Sequence, residues 1–287
     1  VTAVIMKELR TYFTQMTGYI FLALMTLLTA LFFVVMNVFT LNPSFQVVLN
    51  QTTILFFILI PTLTMRLFAD EIKNRTDQLL YTSPLAVWQI VLGKYLAASA
   101  LFILSMVITM IFPLMISQYG ELPISQIAGS YVGYTLVGMG LIAIGLFISV
   151  LTENQIIAAV GTAGAIFFLN ILDGFAGGMP ADATSSLVFV GFIIVAVAGI
   201  LYHSTKNIVA PVILALAGFA AAGGLFFTNR MMFDALIPRT LRWLSVFSRF
   251  DTLSRGVLNL ADIVYYVTFA LVFVYLTINV IEKRRWR

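Results

Sequence analysis

GYIFLALMTLLTALFFVVMNVFT, residues 18–40, is an uncharged apolar run long enough to cross a bilayer as a helix rising ~1.5 Å per residue. The bilayer interior offers the backbone no hydrogen-bond partners, so a spanning segment is either a helix or part of a closed barrel, and runs of about 20 apolar residues select the helix. Further runs fall at 51–69, 95–117, 128–151, 155–172, 187–203, 208–227 and 263–281, of which 187–203 is the shortest. With 61% hydrophobic and 10% charged residues and a mean hydropathy of +1.03, the 287-residue chain belongs with polytopic membrane proteins. The expected fold class is an all-α integral membrane protein, a polytopic bundle of about eight transmembrane helices in the cell membrane. No internal repeat or low-complexity linker divides it, so one domain over 1–287 is the simplest partition. The first run exceeds the apolar core of a cleavable leader and is expected to be retained.

The net charge of +4 and the pI near 9.4 do not indicate a nucleic-acid partner, because the basic residues sit at run ends and not on one soluble face. The absence of cysteine removes disulfides, thiolate nucleophiles and sulfur metal sites, and the single His203 cannot form a histidine cluster. No G-x-x-x-x-G-K-[ST] loop occurs, so the chain is not expected to hydrolyse ATP alone, and no catalytic residue, metal or cofactor is assigned to it. An ion-coupled carrier places ionisable groups near mid-membrane. Here the spans offer little beyond Asn37 and Asn170, which read as interhelical hydrogen-bond partners, and Glu153 reads as a solvated helix end.

Eight spans with 65–94 in the cytoplasm put both termini inside, together with eleven basic residues. The other five, Arg230, Arg239, Arg242, Arg249 and Arg255, then fall in one outside loop, against the positive-inside tendency. If only one of the 187–203 and 208–227 runs spanned, the division would become twelve against four, so charge counting alone does not separate the two topologies. Both runs are uncharged and a short gap separates them, which favours a helical hairpin at 187–227 and the even count.

Four segments could carry function. In the N-terminal VTAVIMKELRTYFTQM, Ile5, Leu9, Phe13 and Met16 share one helical face opposite Lys7, Arg10, Thr14 and Gln15, as expected of an interfacial helix at 1–17. Between the second and third runs lies MRLFADEIKNRTDQLLYTSPLAVWQIVLGK, residues 65–94. Its carboxylates Asp70 and Glu71, its basic pair Lys73 and Arg75, and its apolar Leu79, Leu80 and Tyr81 can meet a soluble partner, although a solvated loop has the same composition. Thr76 to Leu80 is expected to form a short helix, and Pro84 suits the start of the next. The loop 228–262 carries Leu241, Leu244, Phe247 and Phe250 at helical spacing among arginines, and reads as one interfacial helix after Pro238. Arg239, Arg242, Arg249 and Arg255 would contact lipid headgroups or an extracytoplasmic partner. Glycines 129, 133, 138, 140 and 145, and AGFAAAGG at 217–224, allow close helix approach, within the chain or between two copies.

The pattern D-E-x-K-N-R-T-D-Q-L-L-x-x-S-P-L from Asp70 to Leu85, followed by L-G-K at 92–94, resembles the cytoplasmic loop of ABC-2 type permeases, especially the branch named for the gliding-motility export system. The L-T-E-N-Q of 151–155 and the S-R-F-D-T-L-S-R-G-V-L-N-L-A-D-I-V-Y-Y of 248–266, with the closing E-K-R-R-W, are similar to the same branch. The resemblance implies a six-span core, to which the 187–227 hairpin is an addition, and a coupling helix at 70–84 seated in a cleft of a separate ABC ATPase subunit. Asp70, Glu71, Thr76, Asp77, Leu79 and Leu80 would form that contact, with Pro84, Gly93 and Lys94 setting the return into the membrane. The family often has Gly where this chain has Arg75 and Glu where it has Asp77.

The resemblance also implies an exporter permease that is not itself an enzyme, paired with a second copy or a related permease. ATP and Mg would be held by the ATPase, and an auxiliary membrane-anchored protein with a large outside domain would join the assembly. An ion-coupled carrier or channel, or a membrane scaffold, is the alternative from the residues alone. The substrate is not legible in an apolar lining.

Overall fold

The computed structural model describes residues 1–76, 85–118, 123–205 and 208–285, and among these it is helical, with no strand. Helix α1 (Thr2–Thr14) turns through Met16, at φ 60°, into α2 (Thr17–Phe33), which ends in a π turn at Val34–Val38. The second span is assembled from α3 (Phe45–Thr52), a 3-10 turn at Thr53–Leu55, α4 (Phe56–Thr64) and α5 (Ala69–Lys73). Next come α6 (Val87–Thr109) and α7 (Ile111–Ile116), separated at Met110 because the ring of Pro113 cannot accommodate the Thr109 carbonyl in a continuous helix. Helices α8 (Ile124–Leu151), α9 (Gln155–Gly178), α10 (Ala183–Thr205) and α11 (Val209–Thr228) follow. The chain closes with α12 (Leu236–Leu244), α13 (Val246–Ser254) and α14 (Leu260–Arg285).

Among the described residues, eight helical stretches are long and apolar enough to cross a membrane, one for each run expected from the sequence. Their ends differ where polarity and helicity part company. The second reaches from Phe45 to Lys73, well beyond 51–69, because its first turns are amphipathic: Phe45, Val48 and Leu49 are fully buried while Gln46 and Asn50 lie on the other side. Asn37 does not act between helices as expected. Its Nδ2 donates to Asn42 O at 2.5 Å, closing the end of its own span, and its buried Oδ1 is without a hydrogen-bond partner.

The chain divides into two compact units, residues 1–169 with 246–287, and residues 170–245. In the first, an aromatic column forms the core. Phe56 and Tyr134 lie 4.5 Å apart, Tyr134 stacks on Phe102 at 6.0–6.1 Å range with Phe250 edge-on, and Phe45 is parallel to Tyr131 at 5.9 Å. The Tyr134 hydroxyl donates to Thr52 O at 3.1 Å, so the ring is buried with its polar end satisfied. Glycines of α8 make this packing possible, since a Cβ on Gly138 would overlap the Phe102 ring and one on Gly145 would overlap Thr64. In the second unit α10 and α11 pack together, with Gly218 against Ile194 and Gly191 against Phe219. Gly223 and Gly224, by contrast, face open space.

The arginine-rich loop is not one interfacial helix. Ser245, extended at ψ 126°, separates α12 from α13, and Pro238 lies inside the first turn of α12 instead of before it. Leu241 belongs to α12, whereas Phe247 and Phe250 are buried core residues of the first unit, where Gly129 and Gly133 of α8 admit the backbone and side chains of α13. Helical spacing from 241 to 250 identified apolar positions correctly but could not show that two surfaces compete for them.

Candidate functional site

Glu8, Glu71 and Lys94 of the first unit converge where α1, α5 and α6 meet. Lys94 sits two turns inside α6, about 10 Å from its start, and its side chain is 2% exposed. Its ammonium reaches Glu71 Oε1 of α5 at 2.9 Å, Glu8 Oε1 of α1 at 3.0 Å and Leu67 O at 2.8 Å, with the Phe68 ring 5.1 Å away. The three donors of the ammonium are thereby used. A buried lysine is tolerable only under such pairing, and here two carboxylates and a carbonyl supply it. Lys7 stands outside the pair, 61% exposed, 3.9 Å from Glu8 and 3.7 Å from Glu71.

The junction sets which face of α1 is buried. The sequence expectation placed Ile5, Leu9, Phe13 and Met16 on one apolar face of an interfacial helix. The structure instead buries Val4, Glu8 and Tyr12, leaves Ile5, Leu9 and Phe13 half-buried, and exposes Met16. Rotation toward Glu8 follows from its partner Lys94, which lies far away in sequence. Close approach follows from Gly93, where a Cβ would come within 2.6 Å of Val4. Tyr12 donates to Leu63 O at 3.2 Å, and burial, reinforced by the Glu8 carboxylate, holds its hydroxyl above the ordinary range, so it stays a donor. Beside the junction opens a cleft of about 210 Å³ lined among others by Lys7, Gln15, Arg66, Asp70 and Thr76.

Of the residues expected at the coupling contact, Asp70 is half-buried and accepts a hydrogen bond from Gln155 of α9, while Glu71 is committed to Lys94. Lys73, Asn74, Arg75 and Thr76 are exposed. Asp77, Leu79, Leu80 and Pro84, with most of the short helix expected at 76–80, lie outside the described residues. Glu8 was missed from sequence because a lone acid on an amphipathic helix carries no sign of a distant buried cation.

Helix α5 ends in a left-handed cap. Arg75 has φ 56°, its N–H donates to Ile72 O at 3.1 Å, and the Thr76 N–H donates to Glu71 O at 2.9 Å, the two bonds of a Schellman motif. Glycine is the residue this position favours, in keeping with the pattern that the sequence departs from. Arg75→Gly is expected to raise stability by about 0.5–1 kcal/mol, since it relieves the steric cost of a left-handed side chain. Thermal unfolding of the purified chain measures it, and an unchanged or lower midpoint would count against the cap.

The four arginines expected to lie outside are not equivalent. Arg239 and Arg242 are exposed on α12 beside exposed Trp243. Arg249 is 14% exposed, pairs with Asp262 at 2.7 Å and lies 4.2 Å over the Tyr265 ring, so it joins α13 to the start of α14. Arg255 pairs with Asp251 one turn away on an exposed surface, a contact worth little.

Comparison with known proteins matches the family model described as ABC-2 family transporter protein over residues 2–282. No curated protein and no solved structure matches. The match covers both units and every span, and with eight membrane-capable helices it leaves a plain conclusion. The chain belongs to the ABC-2 family of transporter proteins, as a multi-pass membrane component.

Proposed function

We propose that this chain is the permease subunit of an ATP-driven exporter of the gliding-motility branch, moved by a separate ABC ATPase that grips the segment 70–84. ATP and Mg belong to that ATPase. Two permease copies, or one copy and a relative, form the pathway, and both termini lie in the cytoplasm. The 187–227 hairpin is an addition to the six-span core, and exposed Arg239 and Arg242 meet headgroups or an auxiliary protein with a large outside domain.

One observation carries the reading. The second span continues to Lys73 and ends in exposed Lys73, Asn74, Arg75 and Thr76, while Lys94 ties the same helix to α1 and α6. A force on this tip is borne by three helices together. ATP drives the cycle only through its differential affinity for two arrangements of the ATPase pair, so a stiff connection is what the mechanism needs. The ion-coupled alternative loses ground because Lys94 lies near the end of its span and is fully engaged.

The test reverses charge at the tip and spares the junction. In a tagged chain carrying Lys73→Glu and Arg75→Glu, co-purified ATPase is expected to fall about tenfold and stimulated hydrolysis with it, because exposed charges steer and register such interfaces. The chain's own stability should stay within about 0.5 kcal/mol. Undiminished recovery of the ATPase would remove the assignment.

A further inference from the structure

The second span breaks between Thr64 and Ala69, yet Met65, Arg66, Leu67 and Phe68 include no helix-breaking residue. In a regular helix the amides of Phe68 and Ala69 would bond to the carbonyls of Thr64 and Met65. Here both amides donate to the hydroxyl oxygen of Ser149 on α8, each at 3.1 Å, and that hydroxyl donates to Met65 O at 3.2 Å. Two acceptances and one donation exhaust what a serine can do. Leu67 N turns back to Thr64 O at 3.1 Å, and Leu67 O receives Lys94. Ser149 is fully buried, and Gly145, one turn earlier on α8, lets Thr64 approach closely enough for the insertion. A side chain entering the ladder is a recognised cause of a kink, and this one is clamped from two helices.

We infer that Ser149 and Lys94 are positioning residues. They hold the break open, fix the direction in which residues 69–76 leave the span, and pass displacement of that segment to α8 and α6. The purpose assigned to the clasp rests on the coupling reading above, whereas its existence does not. Without the Ser149 hydroxyl the amides of Phe68 and Ala69 regain partners only if the ladder closes, and closing it re-aims α5.

The chain has no cysteine, so labels can be placed without background. With Lys73→Cys and Glu153→Cys spin-labelled in the full chain in lipid nanodiscs, a single narrow distance is expected. Ser149→Ala should make a second distance appear, its weight relative to the first raised by at least about fivefold, since the hydroxyl's three hydrogen bonds are lost and a single net bond is already worth about that factor. Ser149→Thr, which keeps the hydroxyl, should restore the single distance. Ser105→Ala removes a buried hydroxyl bonded within its own helix and should leave the distribution alone. An unaltered distribution in Ser149→Ala overturns the inference. Hydrogen exchange of the unsubstituted chain gives an independent reading: the Phe68 and Ala69 amides should be protected, and exchange at the rate of an unstructured chain would also overturn it. Neither measurement involves an ATPase. Failure of ATPase co-purification alongside the expected distances therefore removes the coupling reading and leaves the clasp standing.

Discussion

Lys94→Met is expected to destabilise the protein by about 3–5 kcal/mol, the range for removing one partner from a buried charge network. The loss leaves Glu8 and Glu71, with side chains 11% and 17% exposed, facing each other, and deprives Leu67 O of a donor. Lys7 recovers little of this, since it is mostly exposed and its contacts are 3.7–3.9 Å long. The compensated variant separates charge from shape. Glu8→Gln and Glu71→Gln added to Lys94→Met should bring stability back to within about 1 kcal/mol of the parent, because a neutral network avoids the uncompensated charges. Thermal unfolding in detergent measures both variants. A loss below about 1 kcal/mol in the single variant, or no recovery in the triple, would show that the junction is not held by pairing.

Gly138→Leu and Gly145→Leu together should nearly abolish the folded yield. Overpacking costs about 1–3 kcal/mol per site when neighbours can shift, and more when they cannot. Neither neighbour can. Phe102 is 1% exposed and fixed against Phe56 and Tyr134, and Thr64 is fully buried beside the break in the second span. Leucines at Gly223 and Gly224, where a Cβ meets nothing within 4 Å, are expected to leave the yield unchanged. Size-exclusion profiles of the two double variants settle the matter, and equal losses at both pairs would defeat a seam specific to α8.

The glycines of α8 were legible as a place of close approach, but not their partners. The sequence favoured packing within the chain over packing between copies, and the positions of Phe102, Thr64, Phe250 and Leu253 identify the seam as internal. The charged segment between the second and third runs shows the same division. Asp70, Glu71, Lys73 and Arg75 stood out as a charged interval between apolar runs, yet their fates differ: Glu71 is drawn into the junction while Lys73 and Arg75 stay exposed. Burial depends on what lies opposite, and a local pattern does not contain that. Arg75 is the converse case. The resemblance implied glycine where this chain has Arg75, and the left-handed cap supplies the cause.

Apolar run length by itself determined that the chain is helical, how many helices can cross a bilayer and roughly where each begins, because a backbone in lipid must satisfy its hydrogen bonds locally. Tertiary structure decided which face of α1 turns inward, where the second span breaks and why Lys94 can be buried. Each of these depends on a partner from a distant part of the chain: Glu8 finds Lys94 86 residues away, and Phe68 finds Ser149 81 residues away. Hydrophobicity falls off with the character of each residue alone, whereas a hydrogen bond or ion pair exists only when both members arrive.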